Sequence, residues 1–270
     1  MGIDIVSHKK LMDDLYSHPK FQDAVEPWAA FFAKNKEEIF YSNWRYLNEK
    51  RQRAENNIWK KLIYPGAKVL DIGCGKGFFL KRLHDNFGSS IKYYAVDLSS
   101  VVISQARNYS SHPRYFVGLA EKLPFKDKSF EYIQIISTLE HVTNPGLAIK
   151  EAYRVLKDKG YLYIVIRKKS LDSLIIYNVH QKIKKLLSRN IVHQYTPYSF
   201  PISWVRTEIF RSIKEGNLRM IERNDLAPNI NVIFYRKLHL PMSLLLRISD
   251  IADKLKLSIF KDLEYRVYQK

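Results

Sequence analysis

Three glycines alternate in the stretch VLDIGCGKGFFL, Val69 to Leu80: Gly73, Gly75 and Gly77. Asp71 stands just ahead of them, near the end of a short apolar run, and an apolar, helix-compatible segment follows. Glycines between a strand and a helix let backbone come close to a ligand, because no Cβ stands in the way. The spacing narrows the choice of ligand. A dinucleotide loop needs G-x-G-x-x-G, and Phe78 stands where its third glycine belongs. A phosphate-cradling loop needs G-x-x-x-x-G-K-[ST], but Gly75-Lys76 is followed by Gly77, and Leu70 occupies the first glycine position. What remains is an acid followed by G-x-G-x-G. A second carboxylate, Asp97, ends the run YYAVD, and His141 follows another apolar run in STLEHV. An imidazole has an ordinary pKa suited to proton transfer near neutrality.

Such residues need a frame to bring them together. AKVLDIG, IKYYAVDLS, RYFVG, FEYIQII and YLYIVI read as short strands. Between them lie three helices. GFFLKRLHDNFG is closed by Gly88, SVVISQARNY is capped by Ser99 or Ser100, and NPGLAIKEAYRVLKDKG has Asn144 as cap, Pro145 in the first turn and Gly160 as its close. This alternation predicts an α/β fold, with a parallel sheet covered on both faces. In such a sheet the ligand lies at the carboxyl ends of the strands, where the glycine loop, Asp97 and His141 all fall. Residues 1–64 read as an N-terminal helical cap, in which Tyr41, Trp44 and Tyr46 could form a lid. Residues 65–270 read as one domain with helical insertions at about 170–205 and 238–258. The first insertion puts Leu171, Leu174, Ile175, Val179, Ile183 and Leu187 on one helical face, opposite several lysines; the second aligns Leu244, Ile248, Ile251 and Leu255. TEIFRSIKEGNLRMIERND reads as helix, break at Gly216, then strand, and LEYRVYQK as a closing strand.

Composition bounds the partners. The 270 residues are 46% hydrophobic, enough for a sizeable core, and carry 45 Lys+Arg against 27 Asp+Glu, a formal charge of +18. That excess draws a chain to phosphates, anionic lipid heads or acidic substrates, or simply keeps its surface solvated. The single cysteine, Cys74, rules out an internal disulfide or a cysteine metal cluster and fits a reducing compartment. The N-terminal stretch lacks the apolar core of a signal peptide, and Val6 stands where a myristoylation motif needs Ser or Thr. No apolar run approaches the roughly 20 residues of a membrane span. The expectation is a soluble, cytoplasmic protein, with peripheral contact to an anionic membrane left open.

Taken in order, four stretches make the chain resemble the class I S-adenosylmethionine (SAM)-dependent methyltransferases, from about Pro65 to Arg167 and more weakly from Thr207 to Gln269. They are VLDIGCGKG, Asp97 at the end of YYAVD, VGLAEKLPFKDKSFEYI, and STLEHV followed by EAYRVLKDKGYLYIVI. The resemblance implies a Rossmann-like, doubly wound, seven-stranded and mostly parallel sheet, with SAM as cofactor and S-adenosylhomocysteine (SAH) as product. It also implies roles. Gly73 and Gly75 would make room for the methionine half of SAM, and Asp71, directly or through water, would meet its ammonium. Asp97, followed by Leu98, would hold the ribose hydroxyls, and Leu119, Ala120 and Glu121 would face the adenine, with Ser137 closing the set after the fourth strand. Cys74 would be a small apolar filler. The family often has Asp where Leu119 stands, so the bond to the adenine amino group is lost here or supplied by water or Glu121. One such bond is worth about 0.5–1.5 kcal/mol.

The pattern is similar to the small-molecule branch typified by ubiquinone and menaquinone biosynthesis. Methyl transfer from a sulfonium needs alignment and exclusion of water. A hydroxyl acceptor also needs a base, for which His141 is the candidate. The acceptor is read as a small or lipid-linked molecule, reached from a membrane surface if the basic helices lie on one. Two alternatives stay open. An RNA methyltransferase would suit the charge, although the chain has no recognisable RNA module and no Asn/Asp-Pro-Pro-aromatic motif. A non-catalytic SAM-binding protein would suit Leu119.

Overall fold

A computed structural model describes residues 5–17, 52–167, 202–226 and 263–270, with 247 and 251 alone between the last two segments. Tyr41, Trp44, Tyr46 and both amphipathic insertions, except 202–205, Arg247 and Ile251, lie outside these residues. The stretch YTPYSFPISW, Tyr195 to Trp204, which reads as a loop from its prolines and aromatics, is helical from Ile202 on and otherwise lies outside them too. In chain order the elements are α1 (Ile5–Ser17), a helical segment α2 over 52–62, β1 (Lys68–Ile72), α3 (Phe78–Phe87), β2 (Lys92–Asp97), α4 (Ser100–Tyr109), β3 (Arg114–Val117), β4 (Phe130–Ile136), α5 (Pro145–Val155), β5 (Leu156–Arg167), α6 (Ile202–Glu215), β6 (Arg219–Leu226) and β7 (Leu263–Gln269).

The sheet has seven strands in the order β3-β2-β1-β4-β5-β7-β6. The first five run parallel, and β7 is antiparallel to both β5 and β6. The reversal of strand order falls between β1 and β4, where a doubly wound sheet leaves its crevice. Successive side chains of a strand point to opposite faces. Val69 therefore packs in one apolar cluster with Trp59 and Leu83, while Leu70 and Ile72 pack in the other with Ala148, Ile149 and Ile209. Burial on both faces is why β1 reads as a nearly continuous apolar run rather than an alternating one.

Side-chain caps set two of the helix starts. Ser99 caps α4, its side chain accepting from the Val102 N–H at 3.2 Å. Asn144 caps α5 by accepting from the Leu147 N–H at 2.9 Å, with Pro145 next. The expected close of α5 at Gly160 is not what forms. The helix stops at Val155, because Leu156 already pairs with Phe130 in the sheet. Gly160 serves packing instead: a Cβ there would lie 2.8 Å from both Leu156 Cδ1 and the Lys157 carbonyl oxygen. Helix α2 is tied to α3 by a buried ion pair, Arg82 to Glu55 at 2.6 Å, with the guanidinium 4.8 Å from the Trp59 ring. Among the described residues no helix is long and apolar enough to cross a membrane.

Candidate functional site

The carboxyl ends of β1, β2 and β4 meet the loop after β3 around one cleft. The glycine loop hangs from β2: the N–H groups of Gly73 and Cys74 both donate to the Val96 carbonyl, at 2.8 and 3.1 Å. Asp97 locks this arrangement. Its Oδ2 accepts from the Gly75 N–H and its Oδ1 from the Ser99 N–H, both at 3.0 Å. Burial pushes the Asp97 carboxyl above its ordinary pKa, the N–H donors of Ser99, Gly75 and Leu98 offset part of that, and the charge of Asp13 adds to it.

Gly73 has φ +73°, and a Cβ on it would lie 2.2 Å from Thr138 Cγ2, so this glycine admits the loop after β4 at the edge of the cleft. Thr138 in turn donates from Oγ1 to the Gly73 carbonyl at 3.3 Å. Gly75, at φ +52°, faces open space, with nothing within 4 Å of its would-be Cβ. Ser137 also adopts positive φ, at 50°, a conformation that costs a non-glycine residue and is found disproportionately at ligand sites.

Of the residues singled out by sequence, Gly73, Asp97, Leu98, Leu119, Ala120, Glu121, Ser137 and His141 line one cleft. Asp71, Cys74 and Gly75 are adjacent to lining residues in sequence but do not line it. Cys74 belongs to the apolar core, and burial pushes its thiol well up, which keeps it protonated and inert. Asp71 is buried, and its Oδ2 has no hydrogen-bond partner. Burial pushes Asp71 up to about 7; Gln134, opposite it in the β1–β4 register, offsets part of this, and Asp97 adds to it. Glu121 is partly committed elsewhere: its Oε1 accepts from Thr143 Oγ1 at 2.7 Å and from the Asn144 N–H at 3.1 Å, which ties it to the start of α5.

The cleft has a wall that the motifs did not announce. His8, Met12 and Tyr16 of α1 line it, together with Ile72, Val96, Gly118, Thr138 and Val142. The three α1 residues are spaced i, i+4, i+8 and so share one helix face. The helix is anchored on α4. Asp13 Oδ1 accepts from Ser99 Oγ at 2.6 Å, and Gln105 Nε2 donates to the Tyr16 carbonyl at 3.2 Å. Burial, with Asp97 and Cys74 close by, pushes the Tyr16 phenol far up, so it stays neutral.

These residues fit SAM. The partnerless buried Oδ2 of Asp71 suits a ligand ammonium, Asp97 retains acceptor capacity for vicinal hydroxyls, and the apolar atoms of Leu98, Leu119 and Ala120 suit a flat ring. Comparison with known proteins agrees. Residues 70–164 match the family model described as a methyltransferase domain. The ubiquinone/menaquinone biosynthesis C-methyltransferase UbiE of Rickettsia bellii is 29% identical over 209 residues, 69% of this chain and 84% of that protein. An uncharacterised protein of Methanocaldococcus jannaschii is 36% identical over 146 residues, 54% of this chain and 52% of that one. A solved SAM-dependent methyltransferase from Methanosarcina mazei shares the fold, with a TM-score of 0.54 at 18% identity over 79% of this chain and 96% of its own. The stretch in which Asp97 grips the glycine loop is the stretch the family model matches, and residues 70–164 are thereby similar to a methyltransferase domain.

Proposed function

We propose that the protein transfers the methyl group of SAM, by in-line displacement, to the hydroxyl of a small or lipid-linked acceptor. The observation that carries this reading is the cleft itself: the strand-tip carboxylate Asp97 and the imidazole of His141 line the same space. SAM supplies a methyl already activated on a sulfonium, so the protein's task is to bind, align and keep water out. The glycine loop and Asp97 hold the donor, α1 covers it, and an imidazole of the cleft takes the proton of the hydroxyl. His141 is the imidazole to which the sequence points.

A second reading has a specific basis. The Rickettsia relative is named as a C-methyltransferase, which makes a carbon acceptor in the same cleft the alternative to oxygen. For a lipid-linked acceptor, the basic faces within 171–190 and 240–258 offer contact with anionic lipid. Flotation with anionic vesicles at low salt tests that contact, and absence of binding removes it.

The deciding experiment is transfer of labelled methyl from SAM into extracts separated into polar metabolites, lipids and RNA. Label in the metabolite or lipid fraction is expected, and product analysis then separates oxygen from carbon. Label in RNA alone would overturn the reading in favour of an RNA methyltransferase. SAH binding with no label in any fraction would make the protein a non-catalytic SAM binder.

A further inference from the structure

A second pocket opens at the opposite edge of the sheet. Helices α3 and α4 begin beside the cleft, after Gly77 and Ser99, and run back toward the amino ends of the strands. There their last turns and the loop into β3 surround an open volume of about 230 Å³. Helix α3 has 10 residues, a length of about 15 Å, and the pocket shares no lining residue with the cleft. Among the described residues, Lys81, His84, Arg107, Asn108, Ser111 and His112 bring donor groups to it, against one carboxylate, Asp85. That carboxylate is already matched, since both its oxygens accept from Lys81 Nζ, at 3.0 and 2.9 Å. Arg107 donates from NH2 to the Tyr115 carbonyl at 3.2 Å, its one side-chain bond among the described residues. This bond fixes the guanidinium and leaves further N–H groups for a ligand.

The two imidazoles bridge the elements. The rings of His84, on α3, and His112, in the loop before β3, stack with centroids 3.5 Å apart and planes 7° from parallel. Parallel rings keep their nitrogen lone pairs in separate planes, which do not converge on one metal ion. Among the described residues no group of three or more His, Cys, Asp or Glu is placed to hold one either. Two imidazolium charges this close repel strongly, so the free pair resists carrying two protons. An oxyanion beside both rings removes that obstacle. We propose that this pocket is a binding site for an oxyanion of the phosphate class, a phosphate monoester or inorganic phosphate, held by Arg107 and the His84–His112 pair.

Binding then brings a proton with it. Burial lowers the pKa of His84, His112 lowers it further, Asp85 raises it in part and Lys81 lowers it again, with the net effect downward. The His84 ring is thus neutral at pH 7 in the free protein, and a bound anion draws a proton onto the pair. The last turn of α3, where His84 sits, favours that positive charge. Two further elements face the pair. From β2 the Tyr93 ring lies 5.6 Å from His84, but burial pushes its phenol up to about 12, so it stays neutral. From α4 come Arg107 and Tyr109. The site needs neither SAM nor the cleft, so it stands apart from the methyl-transfer reading above.

Calorimetry with inorganic sulfate and phosphate tests the site. Sulfate is the cleaner probe, because it keeps one charge state while the imidazoles titrate. Wild-type affinity for sulfate should rise as pH falls from about 8 to 6, by up to about tenfold per unit for each proton taken up. Arg107→Ala should weaken binding by more than about tenfold, the factor for one hydrogen bond to a charged group. The double variant His84→Gln, His112→Gln keeps side-chain donors but cannot take up a proton, so its affinity should be level across the same pH range. Thermal unfolding of both variants, cooperative as in wild type, separates loss of the site from loss of the fold. Glycerol phosphate and vesicles carrying phosphatidic acid then distinguish a soluble ester from a lipid headgroup as the source of the phosphate. A folded wild type that binds neither sulfate nor phosphate at pH 6 would overturn the proposal. So would binding that is indifferent to both Arg107→Ala and the double variant. Neither result bears on methyl transfer.

Discussion

On the floor of the cleft, Asp97 holds two backbone N–H groups, and the glycine loop hangs from the Val96 carbonyl by two more. On its roof, α1 reaches the domain through side chains: Asp13 on Ser99 and Val101, Gln105 on the Tyr16 carbonyl, and His8, Met12 and Tyr16 facing the cleft. The floor is wired into the central strands and moves only with them. The roof is held in part by side-chain contacts, Lys9 to Ser100 at 3.5 Å among them, and such contacts are individually worth about 0.5–1.5 kcal/mol. The difference suits the task. An open volume of about 100 Å³ lies below the roughly 300–1,000 Å³ of ordinary ligand pockets, so the cleft must widen to admit SAM, and the prediction is that α1 yields before the glycine loop does.

The largest expected effect is on the floor. Gly73→Ala would combine a positive φ with a Cβ placed 2.2 Å from Thr138 Cγ2. The left-handed backbone costs about 1–2 kcal/mol and the overpacking about 1–3 kcal/mol more, so thermal or urea unfolding should show a loss of about 2–5 kcal/mol. Adding Thr138→Ser, which removes the clashing methyl, should recover part of it. A fully stable Gly73→Ala would show that the floor is softer than its hydrogen bonds imply.

Asp97→Ala comes next. It strips the Gly75 and Ser99 N–H groups of their acceptor and should cost about 1.5–3 kcal/mol of stability, the range for bonds to a charged group. The same variant should lose more than about tenfold in SAH affinity, measured by calorimetry, since one ribose hydroxyl bond alone approaches that factor. Loss of stability with full affinity would make Asp97 a clamp for the loop and nothing more.

Asp71 gives the floor a pH signature. Its folded-state pKa is raised, to about 7, so between its ordinary value and 7 the folded protein binds a proton that the unfolded chain releases. The ligand-free protein should therefore lose stability as pH rises from about 4 to 7. A ligand ammonium favours the carboxylate, so SAH affinity should change the other way, rising as pH climbs toward 7 by up to about tenfold per unit. Asp71→Asn should flatten both trends. If affinity stays level from pH 6 to 7.5, Asp71 does not meet the ammonium.

The floor was also the more legible part in the sequence, for a physical reason. A strand-tip carboxylate and a glycine loop are local chemistry, written within VLDIGCGKG and YYAVD, and the caps Ser99 and Asn144 are read the same way. Two details escaped because they depend on contacts made at a distance. Gly73 is required by Thr138, 65 residues away, and α5 ends early because Leu156 is claimed by Phe130 across the sheet. The roof escaped more completely. His8, Met12 and Tyr16 are visible in SHKKLMDDLY at helical spacing, yet nothing local says which surface that face will cover. The partner of Asp13 lies 86 residues further on.

The smallest expected effect tests the roof by itself. Burial pushes the Asp13 carboxyl up, but hydrogen bonds from Ser99, Lys9 and the Val101 N–H outweigh it and hold the group below its ordinary value near 3.8. A carboxylate with a depressed folded pKa contributes its stability above the unfolded value and loses it as pH falls through the folded one. Docking of α1 should thus be intact at neutral pH and fail only below about pH 3.8. Limited pepsin digestion, which works in that range, should cut within residues 5–17 before it cuts the sheet. Asp13→Ala should expose the same cut at every pH while changing the global unfolding free energy by less than about 1 kcal/mol, because the bonds it removes hold the helix on the domain and not the core together. If the variant instead unfolds as one unit with the sheet, roof and floor form a single cooperative body, and SAM must enter by a route that leaves α1 in place.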